Sequence, residues 1–437
     1  MAQITSSCTS QSCRVVCAWS QCNFAAIIGT VKRLLAMTAL TLSVTALVLS
    51  HSSSSASAPV KITFWQYLAP EAGGLALLGF AAEFNKSQSR YAVEIVDAGD
   101  FKTVQIKLIN ALRSGTGLPS MSMVDNAFFT RLALGGTLEP LDALTNALPK
   151  ATVEDFQPVL WEYGEVKGQR LGLPWAESTL INAYNADAFK KKGLPAPRTW
   201  EDFAKAAKAL TTRSSKGAVF FVDAWIFASM VSSRGGDVLT SDNKPAFDSA
   251  GSRDALQFMF DLTKGGQALV RRIDEANFAV IDWVRTKTFM VTVPTSAYPF
   301  VKNNVSFTVG ATPMPGRTLA GESQLVIPKA ASDAERDGAF AFWEFLTKVE
   351  NVVKFSKLSY YLPVRRSAIR LLGETANDPV MKAGLEALNT AYNPPHLIEY
   401  GAWRTILELQ LERSLKGGVD PKAALGEAQR QILLYKP

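Results

Sequence analysis

Histidine and cysteine, the side chains behind most covalent and metal chemistry, are nearly absent. The 437 residues hold two histidines and four cysteines. All four cysteines, Cys8, Cys13, Cys17 and Cys22, fall within the first 22 residues, and His51 lies close behind. That stretch reads as a leader. Lys32-Arg33 precedes an uncharged run, LLAMTALTLSVTALVLS (34–50), and small residues follow through Ala58. A positive start, an apolar core and small residues at a cleavage point make a secretory signal peptide over residues 1–58. The run is short for a membrane anchor, and the small-residue site follows it at once. Cleavage after Ala56 is the alternative to Ala58, because Pro59 lacks the backbone N–H that an extended substrate offers a peptidase. Val31 would open a conventional leader, so residues 1–30 read as a mis-called start. No cysteine follows the run to carry a lipid.

The chain exported from Pro59 onward would lack cysteine and keep one histidine, His396. Disulfides, thiolate metal sites, a cysteine nucleophile and multi-histidine metal centres are thereby excluded, and no cofactor is expected. Charge is sparse too. The leader takes with it Arg14, Lys32 and Arg33 and no acid, which lowers the formal net charge from +7 to +4. Basic residues this dispersed argue against a nucleic-acid partner, which wants them clustered. A dinucleotide fingerprint is missing, since Ser114-Gly115-Thr116-Gly117-Leu118 breaks the pattern, and so are a phosphate loop and a nucleophile elbow. His396, in Asn393-Pro394-Pro395-His396, reads as a loop or surface histidine. Two carboxylates could still make a glycosidase, but acids are too common for sequence to select a pair.

What is present is alternation. Residues 61–68 (KITFWQYL) read as a strand with Ile62 and Phe64 on one face and Pro70 beyond its end. A helix over about 74–85, a strand over 91–96, a helix over 101–114 and a strand over 120–124 follow. Val104, Leu108, Ala111 and Leu112 share a face of the second helix, and Gly115 suits its end. That spacing of strands and helices predicts a parallel α/β sheet. Helix starts recur at Thr199-x-x-Asp202, Ser332-x-x-Glu335 and Asp420-Pro421. Trp200 and Trp343 fall at core spacing on their helices.

Five signposts resemble one family: Phe64-Trp65; LGGTLEPL (134–141); LPW (173–175) leading to YNADAFKKKGL (184–194); PRTWEDF (197–203); and YYLPV (360–364). In this order they are similar to the extracellular solute-binding proteins of family 1, which deliver sugars to ABC importers. The maltose-binding and glycerol-3-phosphate-binding proteins are relatives, the second the closer, and the resemblance covers nearly all of residues 60–437. It implies an α/β, two-lobed periplasmic binding protein fold, each lobe a mixed sheet flanked by helices, with the ligand cleft between the lobes. Residues 59–175 plus 312–347 would form the N-terminal lobe and 178–310 plus 350–437 the C-terminal lobe. The chain would cross near 175–181, 308–314 and 347–351, and hinge closure over the ligand would present it to the permease. A periplasmic or extracellular monomer without catalysis is expected.

The resemblance also implies site residues. Phe101 stands where the glycerol-phosphate branch has a tyrosine, and Asn126 where it has a glutamate; a phenol and a carboxylate for glycerol hydroxyls are lost. Ser178 and Ser296 match cleft serines, Trp225 falls where an aromatic floor is usual, and Gly321-Glu322-Ser323 matches a glycine-rich cleft loop. Tyr361 matches the tyrosine before Leu-Pro. The branch places a phosphate-clamping arginine soon after an Asn-Pro pair, whereas Arg404 follows Asn393-Pro394 at a longer interval. A phosphate wants a guanidinium fork or clustered N–H donors. A neutral sugar wants flat aromatic surface with carboxamide and carboxylate partners. Trp65, Trp225, Trp403, Tyr361, Asn126 and Glu322 suit the sugar, and Gln66 beside Trp65 joins the candidates. The expected ligand is therefore a mono- or oligosaccharide. Glycerol 3-phosphate or a glycerophosphodiester is the alternative, and a secreted glycoside hydrolase a distant one.

Overall fold

The computed structural model describes residues 58–272 and 275–435, so the leader lies outside the described residues. The first strand, β1 (Val60–Gln66), forms because alternate apolar residues bury one face: Ile62 and Phe64 are wholly enclosed. It leads through α1 (Gly74–Ser87), β2 (Tyr91–Asp97), α2 (Phe101–Ser114), β3 (Met121–Asp125) and α3 (Asn126–Leu134) to the short β4 (Leu173–Pro174). After residues 175–179 come β5 (Leu180–Asn185), α4 (Trp200–Leu210), β6 (Lys216–Val222), α5 (Ala224–Ser233), α6 (Ala250–Lys264), β7 (Ala268–Arg272), β8 (Thr288–Pro294) and β9 (Val309–Pro313). The chain ends with β10 (Ser323–Val326), α7 (Asp333–Leu346), α8 (Val349–Ser359), α9 (Pro379–Leu388), α10 (Tyr400–Leu415) and α11 (Pro421–Leu434).

Two mixed sheets result. The first has order β2-β1-β3-β10-β4 and the second β9-β5-β8-β6-β7. β1 runs parallel to β2 and β3, as the strand–helix–strand spacing requires, and β10 closes against β3 antiparallel. Helix ends follow the local chemistry. The Asp100 carboxylate accepts from the Thr103 N–H at 2.7 Å to open α2, and Gly115, in the left-handed region at φ 69°, closes it. Thr199 opens α4, and Ser332 with Glu335 forms a reciprocal capping box at α7. Trp200 and Trp343 are core residues, 4% and 1% exposed. Among the described residues, no helix is long and apolar enough to cross a membrane.

Two of the expected crossings lie elsewhere. β9 stays paired with β5 through Pro313, so the chain leaves the second sheet over 314–322 rather than 308–314. Helix α8 does not depart at 347–351 either. Its Phe355 stacks on Trp175 at 4.7 Å and meets Phe80 of α1 at 6.4 Å. Beyond it, Arg365 and Ser367 bond the Asp155 carboxylate at 2.8 and 2.6 Å. The later helix α9 packs on β5 and β9 of the second sheet. The break after α7 is a change of helix direction: the Thr347 hydroxyl bonds back to the Trp343 carbonyl at 2.8 Å, and a new helix begins two residues later.

Candidate functional site

Parallel strands leave their carboxyl ends free for ligands, and the helices that follow them begin there. β1 ends at Gln66 and delivers Tyr67; β3 ends at Asp125, and α3 starts on Asn126; β6 ends at Val222, and α5 starts behind Asp223. Asp125 caps α3 by accepting from the Ala127 and Phe128 N–H groups at 3.1 and 3.3 Å, and Asp223 caps α5 from Ile226 at 2.8 Å. These strand ends face a cavity of about 270 Å³ whose walls come from both sheets' helices. Phe101, Asp125 and Asn126 belong to the first side, and Asp223, Trp225 and Arg404 to the second. Gly321 and Glu322 arrive on the second connecting segment, and Tyr361 on the turn that follows α8. A larger chamber of about 480 Å³ adjoins it, sharing Phe101, Asp125, Asp223 and Arg404 and adding Lys102, Arg131 and Glu408. The larger chamber falls within the range of small-molecule sites, about 300–1,000 Å³, and the inner cavity just below it.

Seven candidates read from sequence line this cavity: Phe101, Asn126, Trp225, Gly321, Glu322, Tyr361 and Arg404. Trp225 is held by its indole N–H, which donates to the Leu319 carbonyl at 3.0 Å. Gly321 sits at φ 142°, where a Cβ would collide with the Asn126 carboxamide. Its carbonyl and N–H bond Ser178 of the first connecting segment. Gly321→Ala should therefore push Asn126 aside and cost roughly 1–3 kcal/mol of stability. Denaturant unfolding checks that figure, and calorimetry with any captured solute should show at least tenfold weaker binding.

Five candidates do not line it. Trp65 turns to the small core of Leu108, Val124 and Phe128. The buried Gln66 carboxamide accepts from the Leu68 N–H at 2.5 Å and shapes its own turn. Ser178 is sealed against Thr295, hydroxyl to hydroxyl at 2.9 Å. Ser296 acts one step back, donating to Glu322 Oε1 at 2.8 Å. Trp403 lies on the inner stripe of α10 with Leu407 and Leu411, whereas Tyr400 and Arg404, one turn apart, share the cavity side. His396 is a loop residue, partly buried. Its ring stacks on Tyr163 at 4.5 Å and bonds the Thr130 hydroxyl at 3.0 Å, and burial holds its pKa below the usual value.

Sequence reading passed over Tyr67, Asp125, Asp223 and Tyr400. The signal available was positional, a polar residue at the carboxyl end of a strand immediately before a helix. Electrostatically the site is mixed. Burial works against the charge of Arg404, but Asp223, whose Oδ2 stands 3.9 Å away, with Glu408 and Asp125 beyond it, holds its pKa above the usual value. Burial, with Glu322 beside it, pushes the Glu177 carboxyl well above the usual range. Burial likewise pushes Glu322 up to about 7, against the pull of hydrogen bonds from Ser296 and Tyr361.

Two mixed α/β lobes joined by connecting segments, with a cavity built from both, define a binding protein of the hinged, solute-clamping class. The chain belongs to the bacterial extracellular solute-binding protein family, whose model matches residues 79–383. The sn-glycerol-3-phosphate-binding periplasmic protein UgpB of Agrobacterium fabrum is 25% identical over 410 residues, covering 85% of this chain and 92% of that one. Among solved structures, the GacH receptor of Streptomyces glaucescens, studied unliganded and with acarbose, superposes with a TM-score of 0.78 at 23% identity. That likeness covers 86% of this chain and all of the other (100%). UgpB from Mycobacterium tuberculosis, in complex with glycerophosphocholine, superposes with a TM-score of 0.77 at 22% identity, over 86% and 98% of the two chains. The protein is a solute-binding protein of the ABC-importer type.

Proposed function

We propose that the protein captures a carbohydrate, a mono- or oligosaccharide, between its lobes and hands it to the transmembrane subunits of an ABC importer. The observation that carries this reading is the character of the inner cavity. Its lining includes the aromatic side chains of Trp225, Phe101 and Tyr361 and the carboxamide residue Asn126, while Arg404, the one arginine among its described lining residues, already faces the Asp223 carboxylate. Stacking surface with hydroxyl-binding groups suits sugar rings. A phosphate would have to compete with Asp223 and Asp125 for Arg404. In this reading the protein is an exported monomer, freed of residues 1–58 and working in the periplasm or outside the cell. It performs no catalysis and binds no nucleic acid. Lobe closure would pivot on 175–179, 314–322 and the stretch between Ser367 and α9.

A second reading, glycerol 3-phosphate or a glycerophosphodiester, is favoured by two features. Arg404 does line the cavity, despite its late position after Asn393-Pro394, and several relatives carry glycerol-phosphate names. A thermal-shift panel separates the two, because a ligand that binds only the folded state raises the melting temperature by mass action. Glucose, maltose, longer maltodextrins and trehalose are expected to include at least one stabiliser, with sn-glycerol 3-phosphate and glycerophosphocholine inert. Stabilisation by the phosphates alone would transfer the assignment to the second reading, and turnover of a chromogenic glycoside would overturn both.

A further inference from the structure

Between α9 and α10 the chain leaves its own lobe and touches the other. α9 packs on β5 and β9, and α10 on α5, α6 and α11, so both flanks of residues 389–399 belong to the second lobe. The middle of the segment does not. The Asn393 carboxamide donates at 2.7 Å to the Val159 carbonyl in the short helix Pro158–Tyr163, which packs on β4 of the first sheet. Pro394 and Pro395, whose rings fix φ, carry the chain stiffly past the cavity, which Pro394 lines. His396 then enters the first lobe. Its ring stacks on Tyr163 at 4.5 Å, stands edge to face with Phe129 at 5.9 Å, and bonds the Thr130 hydroxyl through Nδ1 at 3.0 Å. The Thr130 hydroxyl in turn lies 3.2 Å from the Tyr163 phenol, which donates to the Asn126 carbonyl at 3.0 Å. A hydrogen-bonded chain thus runs from a histidine of the second lobe to the cavity wall at Asn126.

We propose that residues 393–396 form a strap by which the second lobe grips the first, and that His396, as the neutral ring, is the residue that positions the lobes for closure. This rests on the solute-capture reading above and adds a closing device to it. Separating the lobes would pull the ring from its stack and break both bonds of the strap, so the docked strap favours the closed form. A charged ring fits the pocket less well. Among the described residues His396 makes no ion pair, and Arg131, Glu162 and Glu399, the charged residues beside these contacts in sequence, do not bond it. Tyr163 is the titratable side chain in contact with the ring, and Tyr400, Asp125 and Glu177 act on that phenol. Burial holds the docked imidazole below its usual pKa, although a hydrogen bond with the Tyr163 backbone pulls the other way. Once undocked, the ring returns to an ordinary value of about 6.5. The docked form therefore binds fewer protons, and closure is fully supported above that pH and weakens as pH falls below it, by at most about tenfold per unit.

The test has two arms. In the first, spin labels on Lys86→Cys of α1 and Lys208→Cys of α4, both exposed, report the distance between lobes in the solute-free chain from Pro59 onward, which has no other cysteine. At pH 8 a close population should be present. It should shrink in His396→Ala, in Asn393→Ala, which cuts the strap's other bond, and in the unsubstituted strap at pH 5.5. His396→Gln, neutral at every pH and able to bond Thr130, should restore part of that population and remove the pH response. Equal distributions at pH 8 with the strap intact and in His396→Ala overturn the proposal. This arm uses no solute, so it is decided separately from the carbohydrate reading. In the second arm, maltose is titrated calorimetrically from pH 5 to 8. His396→Ala should bind about tenfold more weakly at pH 8, because a hydrogen bond and a ring contact are lost and a smaller closed population lowers the apparent affinity. Glu322, pushed up to about 7 by burial, titrates in the same range, so the strap is read as the acid-side loss that disappears in His396→Gln. A pH profile that His396→Gln leaves unaltered overturns the role of the neutral ring.

Discussion

Replacing Trp343 with alanine should destabilise the protein by about 3–5 kcal/mol, the usual cost of emptying a buried tryptophan site. Its indole is 1% exposed and stacks nearly parallel to Phe156, 5.6 Å between centroids and 11° between planes, with Phe340 at 5.2 Å on another side. The indole N–H donates to the Pro174 carbonyl at 3.1 Å, tying α7 to β4 where the chain leaves the first sheet. Trp343→Phe separates these contributions. It keeps an aromatic in the stack but orphans the Pro174 carbonyl, so the expected loss falls to about 1–3 kcal/mol. Urea unfolding followed by circular dichroism reads both, and a loss under about 1 kcal/mol for the alanine variant would falsify the packing argument.

Trp343 shows which parts of this fold the sequence makes legible. Its helix spacing with Ala339, Phe342 and Leu346 and the Ser332–Glu335 cap lie within one element, and local physics decides both. The same holds for β1, whose alternation requires no knowledge of its partners. The connecting segments were less legible. Thr347-Lys348 reads as an exit from the lobe, yet only packing of Phe355 on Trp175 and Phe80 reveals that α8 stays. The site divides along the same line. Asn126, Trp225 and Tyr361 sit at element ends, where the family resemblance pointed and, for Tyr361, the YYLPV motif marks the place. Glu177 meets Glu322 across 145 residues, a pairing that no local pattern encodes. Asp125 and Asp223 look like ordinary helix caps, and they are; that they also face the cavity is a property of the sheets' carboxyl ends. Trp403 and Arg404 are adjacent in sequence, but the 100° step along a helix sends one to the core and the other to the cavity.

Arg404→Met should have the largest effect on the site, and its outcome differs with the ligand. The guanidinium keeps 28% of its side-chain surface and stands 3.9 Å from Asp223, which is itself nearly enclosed at 9%. Removing it leaves the Asp223 carboxylate without its ion-pair partner, and breaking a buried pair in this way costs up to about 3–5 kcal/mol. The longer separation and the partial exposure of Arg404 place the expected stability loss near the lower figure, about 3 kcal/mol. Neutral-sugar affinity should then fall no more than about tenfold, since a methionine still covers the aromatic wall and ring stacking persists. A phosphate ligand would lose its charge-assisted partner and meet uncompensated carboxylates instead, a loss of at least a hundredfold. Asp223→Asn works in the opposite direction, for it frees Arg404 from its carboxylate and removes a repelling charge. If the cavity excludes phosphates because Asp223 occupies Arg404, this variant should gain measurable sn-glycerol 3-phosphate binding that the wild type lacks. Calorimetry on wild type, Arg404→Met and Asp223→Asn with maltose and sn-glycerol 3-phosphate reads the whole pattern. Strong wild-type phosphate binding that Arg404→Met abolishes would show that the guanidinium clamps its ligand and that Asp223 only orients it.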